Sequence, residues 1–152
     1  MHYEIVPMTT LSEMEEKGLV HYTAFKETYA ALMPKEYLGK LTLENCIQMA
    51  QKQPQSTLLL KVAQKTVGFS CIKQTDNGSE LVAIYLLAPY HGKGLGYALL
   101  KKTLSLCPKN SKIVLWVLKG NEKAISFYKK VGFRFSGNEK MLPFGIELQM
   151  EM

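Results

Sequence analysis

Leu81-Val82-Ala83-Ile84-Tyr85-Leu86-Leu87-Ala88-Pro89-Tyr90-His91-Gly92-Lys93-Gly94-Leu95-Gly96-Tyr97-Ala98-Leu99-Leu100 is the stretch that decides how this 152-residue chain folds. Its first seven residues are an apolar, β-branched and aromatic run, which reads as a buried strand. Apolar residues at 95, 98, 99 and 106 then fall at helical spacing. Between the two lie Gly92, Lys93, Gly94 and Gly96. A strand, a glycine-rich turn and a helix start together form an anion cradle. Backbone N–H groups at a helix N-terminus have no internal partner, and the helix dipole adds about half a positive charge there. Glycines let that backbone approach a phosphate with no Cβ in the way. The same residues also suit a glycine-rich helix start that holds no ligand. Two familiar phosphate loops are excluded by spacing. A Walker loop needs Ser or Thr after Gly-Lys, and Gly94 follows Lys93. A dinucleotide fingerprint needs a third glycine where Tyr97 or Leu99 stands.

Working outward, the length fits one domain with a substantial core. Apolar residues make up 47% and charged residues 21%, a globular balance. No apolar run approaches the 18 or so residues of a membrane span. The start, Met1-His2-Tyr3-Glu4-Ile5-Val6, lacks the basic and apolar regions of a signal peptide. Cys46, Cys71 and Cys107 have no metal-ligand spacing, and the three histidines are scattered, so no metal is expected. Reduced thiols and a cytoplasmic location follow as expectations. The net charge of +6 is uneven. Residues 1–80 hold 8 basic and 9 acidic side chains, a net of −1; residues 81–152 hold 11 and 4, a net of +7. The basic half contains the glycine loop, as attraction of a polyanion requires. Nucleic acid would also be attracted, but no nucleic-acid motif or aromatic-basic stripe is present.

Along the chain, a strand at Tyr3–Val6 precedes a helix capped by Thr9 or Thr10, with Glu13 as capping-box partner. Gly18 is expected to interrupt it, and a second helical piece to run from about Leu19 to Leu32. Glu36, Tyr37 and Leu38 fall in a loop, and Thr42 caps a helix over Leu43–Lys52. Thr57–Ala63, Thr66–Gln74 and the strand from Glu80 form an antiparallel meander, with turns at Gln64-Lys65 and Asp76-Asn77-Gly78. Lys112–Leu118 follows the loop helix and should lie parallel to the strand before it. Asn121 caps a helix over Glu122–Val131, and Gly132 ends it. Phe133–Ser136 and Ile146–Met150 close the sheet, joined through Gly137-Asn138 and Pro143.

Two motifs then point to a family. His91-Gly92-Lys93-Gly94-Leu95-Gly96 resembles the coenzyme A pyrophosphate loop of the GNAT acetyltransferases, Arg/Gln-x-x-Gly-x-Gly/Ala, with histidine in the first place. Asn121-Glu122-Lys123-Ala124-Ile125-Ser126-Phe127-Tyr128-Lys129-Lys130-Val131-Gly132-Phe133 matches that family's Asn-x-x-Ala-x-x-Phe-Tyr-x-x-x-Gly-Phe throughout, 25 residues after Gly96 with a strand between. The resemblance implies an α/β (α+β) fold: a mixed, mostly antiparallel sheet of six to seven strands flanked by about four helices. It covers nearly the whole chain, as a single domain over residues 1–152.

The resemblance further implies acetyl-CoA as cofactor. It would be held by Gly92, Lys93, Gly94, Leu95, Gly96 and Tyr97 at the pyrophosphate, by Asn121, and by backbone amides of Ile84, Tyr85 and Leu86 along the pantetheine arm. The strand of Ile84-Tyr85-Leu86 and the strand of Trp116 would splay apart around it. Tyr128 would lie near the sulfur and protonate the departing thiolate; by the residues alone it reads as a core tyrosine, and the resemblance reverses that reading. Glu80 resembles the family position that helps take the amine proton, and is otherwise a solvated strand end. Direct attack by an amine in a ternary complex is implied; Cys71 and Cys107 have no motif partner for a covalent route. Alanine-type ribosomal-protein enzymes carry a glutamate where this chain has Trp116.

The acceptor site is framed by Phe25, Glu27, Tyr29, Glu36 and Tyr37. Glu27, Tyr29 and Tyr37 are the substrate-binding candidates, in a run similar to PaiA-type polyamine acetyltransferases. An acidic, aromatic pocket suits a cationic amine. The expected partner is therefore a small-molecule amine, with no nucleic acid and no membrane. A homodimer is compatible with the sequence, which does not fix the oligomeric state. Acetylation of a protein amine and a non-catalytic acyl-CoA-binding module stay open as alternatives.

Overall fold

In the computed structural model, which describes residues 2–52 and 54–152, the first helix starts where the capping box places it. Thr10 Oγ1 accepts from the Glu13 N–H at 3.1 Å, and Glu13 Oε1 accepts from the Thr10 N–H at 3.0 Å. Helix α1 (Leu11–Tyr29) then runs unbroken through Gly18, contrary to the expected interruption. The reason lies in α3 (Leu43–Lys52). A Cβ on Gly18 would sit 2.6 Å from Ile47 Cγ1 and 2.8 Å from Ile47 Cα. Glycine in a helix interior costs about 1 kcal/mol relative to alanine; here the close approach of α3 offsets it. Residues 36–38, expected as loop, belong to a one-turn helix α2 (Lys35–Leu38) that starts at Pro34. Thr42 Oγ1 accepts from the Asn45 N–H at 3.1 Å, as a cap on α3 should.

Among the described residues, seven strands form one sheet in the order β1-β2-β3-β4-β5-β7-β6. They are β1 (Glu4–Pro7), β2 (Thr57–Val62), β3 (Lys65–Thr75), β4 (Gly78–Leu86), β5 (Lys112–Leu118), β6 (Arg134–Leu142) and β7 (Gly145–Glu151). All neighbours are antiparallel except β4 and β5. The β2–β3 turn is Ala63-Gln64, one residue earlier than expected, with φ of 52° and 66°. This is the handedness that a two-residue hairpin requires. At Gly78 a Cβ would stand 2.0 Å from the Lys112 carbonyl oxygen, so only glycine lets β5 start beside β4. Strand β6 is longer than expected. Gly137 (φ 97°) and a register shift between Phe135 and Glu139 absorb the break within the strand, and the chain reverses only at Pro143-Phe144.

Alternate side chains of β2 show why the sheet is covered on both faces. Leu59 packs with Met8, Met14, Val20, Ala50 and Phe69 on the α1/α3 side. Leu58 and Leu60 pack with Leu95 and Leu99 of α4 (Leu95–Ser105) on the other. Beside α4, helix α5 (Glu122–Val131) covers Leu115, Val117 and Met150. Among the described residues no helix is long and apolar enough to cross a membrane.

One irregularity positions the site. Cys71 faces Ala83 and Ile72 faces Leu81, so Val82 is an extra residue in β4. The parallel ladder between β4 and β5 ends beside it, at Leu81 and Leu115. Strand β5 continues to Leu118 on β7 alone. Between β4 residues 82–86 and the second half of β5 the sheet is open.

Candidate active site

The rim of the opening is the glycine loop. Gly92 and Gly94 have φ of 75° and 79°, and a Cβ at either would meet nothing within 4 Å. They are glycine for conformation and for an open approach, not for packing. Gly94 is the N-cap of α4 and offers no side-chain cap, so the first-turn amides face the opening uncapped. Gly96 differs: its Cβ position lies 3.8 Å from the Phe127 ring, where α4 meets α5. Leu95 is buried in the core, so only its backbone belongs to the loop. Lys93 is exposed, and Tyr97 is exposed with Lys101 Nζ 5.9 Å from its ring centroid.

His91 has two partners. Its Nε2 lies 2.7 Å from the Leu86 carbonyl oxygen and its Nδ1 3.1 Å from Lys123 Nζ. A lysine ammonium only donates, so Nδ1 accepts and Nε2–H donates to Leu86, an assignment made from the network. The imidazole thus ties the loop to the end of β4 and brings Lys123 of α5 to the rim. Sequence reasoning missed Lys123; its place one turn before Phe127, on the same face of α5, was the available signal.

Three tyrosines meet at the opening. Tyr128 packs on the α4/α5 side, with Phe127 and Phe133 ring centroids at 5.5 and 5.9 Å. Tyr85 packs on the α1/α3 side and is hydrogen-bonded to Tyr29. Tyr85 feels Tyr128 electrostatically, and Tyr128 in turn feels Tyr29. Burial raises all three phenols, and Tyr29 raises Tyr128 further. At neutral pH these are hydroxyls that can donate, not phenolates. His21 stacks on Tyr85 at 5.5 Å. Burial and then Lys17 push its pKa down to about 4, so its ring is neutral. Its Nδ1 is buried without a hydrogen-bond partner among the described residues.

On the α1/α3 side the open half of the sheet makes a floor. Glu80 pairs with Val114, Trp116 with Gln149, and Glu147 with both Leu118 and Lys140. Directly opposed residues share a face, so Glu80, Trp116, Glu147 and Lys140 lie together. Burial raises the Glu147 carboxyl, Lys140 lowers it, and Glu80 raises it again. Lys140 Nζ stands 4.0 Å from the Trp116 ring centroid. Glu27, a substrate-binding candidate, instead accepts from the Ala88 N–H at 3.1 Å and braces the loop. Tyr37 lies 6.1 Å from Phe144 across a cavity of about 410 Å³, also lined by Phe25, Met33, Lys40 and Met49. Phe25 joins that cavity to the tyrosines through Tyr29, at 4.8 Å. Asn121 Oδ1 accepts from the Ala124 N–H at 3.3 Å and caps α5. Glu147, Lys140 and the seating of Trp116 were missed, because the chain past Ser136 was not expected as strand, and it is the 139–142 half of β6 that pairs Lys140 with Glu147.

Comparison with known proteins agrees with this architecture. The profile of the Acetyltransferase (GNAT) family matches residues 21–133. An uncharacterised N-acetyltransferase of Mycobacterium tuberculosis is 36% identical over 76 residues, 48% of this chain and 49% of that protein. The chain thus spans about half the length of the first curated relatives it matches. The spermidine N(1)-acetyltransferase of Thermoplasma acidophilum is 29% identical over 136 residues, 82% of this chain and 84% of that protein. A crystal structure of PaiA N-acetyltransferase from Thermoplasma acidophilum in complex with coenzyme A superposes with a TM-score of 0.76. It is 27% identical and covers 99% of this chain and 98% of that one. With three quarters of its length inside the family profile and the sheet, the gap and the glycine rim all in place, the chain belongs to the acetyltransferase (GNAT) family.

Proposed function

We propose that this chain, acting as one domain over residues 1–152, transfers an acetyl group from acetyl-CoA to a primary amine. The observation that carries the reading is the gap itself. The β4–β5 ladder stops at Leu81 and Leu115, a glycine rim with uncapped amides borders the opening, and Tyr128, whose phenol burial keeps protonated, packs against the cluster of Leu81 and Leu115. Those features suit a long anionic cofactor lying between two strands. The backbone at Gly92, Gly94 and Gly96 and the ammonium groups of Lys93 and Lys123 would hold its phosphates. The backbone N–H groups of Ile84 and Leu86 lie on the open edge of β4 and would hold its arm, whereas the register turns the Tyr85 backbone toward Phe69 of β3; the side chains of Ile84 and Leu86 are committed to the core. When bound, acetyl-CoA supplies an acyl group already activated as a thioester.

The chain's own contribution is positioning and proton handling. An N–H of the open β4 edge would polarise the acyl carbonyl. Tyr128 holds a proton at its hydroxyl for the leaving thiolate. Glu80 is the candidate to take the amine proton through water, with Glu147 beside it. Tyr29 and Tyr85 present hydroxyls to the incoming amine. The paired carboxylates support a small cationic acceptor such as a polyamine, as does the spermidine-acetylating relative.

Release of thiol from acetyl-CoA, followed across polyamines, alkyl amines, a lysine peptide and a free peptide N-terminus, tests this. Turnover on at least one amine is expected, highest on polyamines. Tight acetyl-CoA binding with no turnover on any amine would make the chain a binding module instead.

A further inference from the structure

We propose that the Trp116 ring, flanked by Glu147 and Glu80, is the seat for a second, non-reacting ammonium of the acceptor, and that Lys140 is its internal placeholder. The inference rests on the acetyl-transfer reading above and adds the place where the acceptor's second cationic centre is held. Three observations carry it. Lys140 Nζ lies 4.0 Å from the Trp116 centroid, within the range of a cation–π contact. Lys140 is paired across the ladder with Glu147, yet among the described residues neither Glu147 nor Glu80 is in an ion pair; the ammonium rests on the ring. Glu147 acts electrostatically on Tyr29, so the seat adjoins the Tyr29 hydroxyl.

The chemistry of such a seat is simple. A half-buried aromatic face between two unpaired carboxylates attracts a cation. Lys140 comes from the outer strand β6 and is solvent-exposed, so it can swing away without uncovering core. An alkyl diamine or polyamine would put its neutral, reacting nitrogen at the tyrosines and its protonated nitrogen on Trp116. A monoamine would leave the seat to Lys140.

Steady-state kinetics on the full chain with 1,4-diaminobutane, spermidine and butylamine test the seat. Trp116→Leu should raise the KM ratio of diamine to monoamine about threefold to thirtyfold, the range of one cation–π contact. Trp116→Phe, which keeps an aromatic face and guards against misfolding, should hold the ratio within a few-fold of wild type. Lys140→Met should lower the ratio, because the placeholder is gone. A ratio untouched by Trp116→Leu, or raised by Lys140→Met, overturns the seat. Calorimetry with 1,4-diaminobutane separates the two readings. Binding that Trp116→Leu weakens, without turnover on any amine, sinks the transferase reading and keeps the seat. Diamine turnover with an unaltered KM in Trp116→Leu keeps the activity and sinks the seat.

Discussion

The rim and the floor of this site are built in opposite ways. The rim is six consecutive residues, His91 to Gly96, and presents backbone. The floor is Tyr29, Glu80, Trp116, Lys140 and Glu147, drawn from five elements, and presents side chains. A backbone cradle needs glycines at positive φ next to a helix start, and that need is local. A side-chain floor needs the register between β5 and β7, which pairs residues far apart in the chain such as Trp116 and Gln149. Rim variants should therefore change cofactor affinity, floor variants acceptor selectivity, and only the gap between them the rate.

The largest effect is expected where rim and floor meet. Tyr128→Phe keeps the ring packed against Phe127 and Phe133. It should cut turnover ~100- to 10,000-fold with acetyl-CoA affinity nearly unchanged. Wild-type turnover in a folded Tyr128→Phe protein would return Tyr128 to the core and merge the gap with the floor.

At the rim alone, Gly94→Val puts a branched side chain at φ 79°. The strain of about 1–2 kcal/mol in that region, plus the blocked approach, should weaken acetyl-CoA binding about 10- to 100-fold by calorimetry. Binding should also fall as salt rises, given Lys93 and Lys123 at the rim. Salt-independent affinity would take the electrostatics out of the comparison.

A glycine that serves packing sharpens the contrast. Gly18→Ala should lower stability by about 1–3 kcal/mol through the Ile47 clash while leaving acetyl-CoA affinity alone. A rim glycine should do the reverse. Equal effects on affinity from Gly18→Ala and Gly94→Val would erase the distinction.

The smallest expected effect is that of pH on His21, behind the floor. Its pKa is depressed from 6.5 to about 4 in the folded chain. The unfolded chain therefore binds the extra proton first. Stability should fall as pH drops from 6.5 to 4, by about 1 kcal/mol after screening is allowed for. His21→Phe should flatten thermal unfolding across that window; an unchanged slope would assign the pH response elsewhere.

Much of the fold was legible because its signals are short-range. The Thr10–Glu13 box, the Asp76-Asn77-Gly78 hairpin and the strand–glycine–helix unit each depend on residues within a few positions of one another. The sequence reading went wrong where a distant neighbour sets a residue's role. Gly18 reads as a helix breaker until Ile47 is packed against it. Gly137-Asn138 reads as a connection until β7 draws it into a strand. In the candidate site, Glu27 reads as a pocket carboxylate until the Ala88 amide claims it.

By itself the amino-acid sequence determined the family, the order of strands and helices, the glycine rim and the tyrosine beside it. The elements and the rim follow from local backbone preference and hydrophobic period; the family and the tyrosine follow from the resemblance of two short motifs. Only the tertiary structure decided that β4 and β5 part at Val82 and that Lys123 is tied to the rim by His91. It alone brought Trp116, Lys140 and Glu147 onto one floor. Those facts depend on strand register and on contacts between residues far apart in the chain, and no short stretch of sequence encodes either.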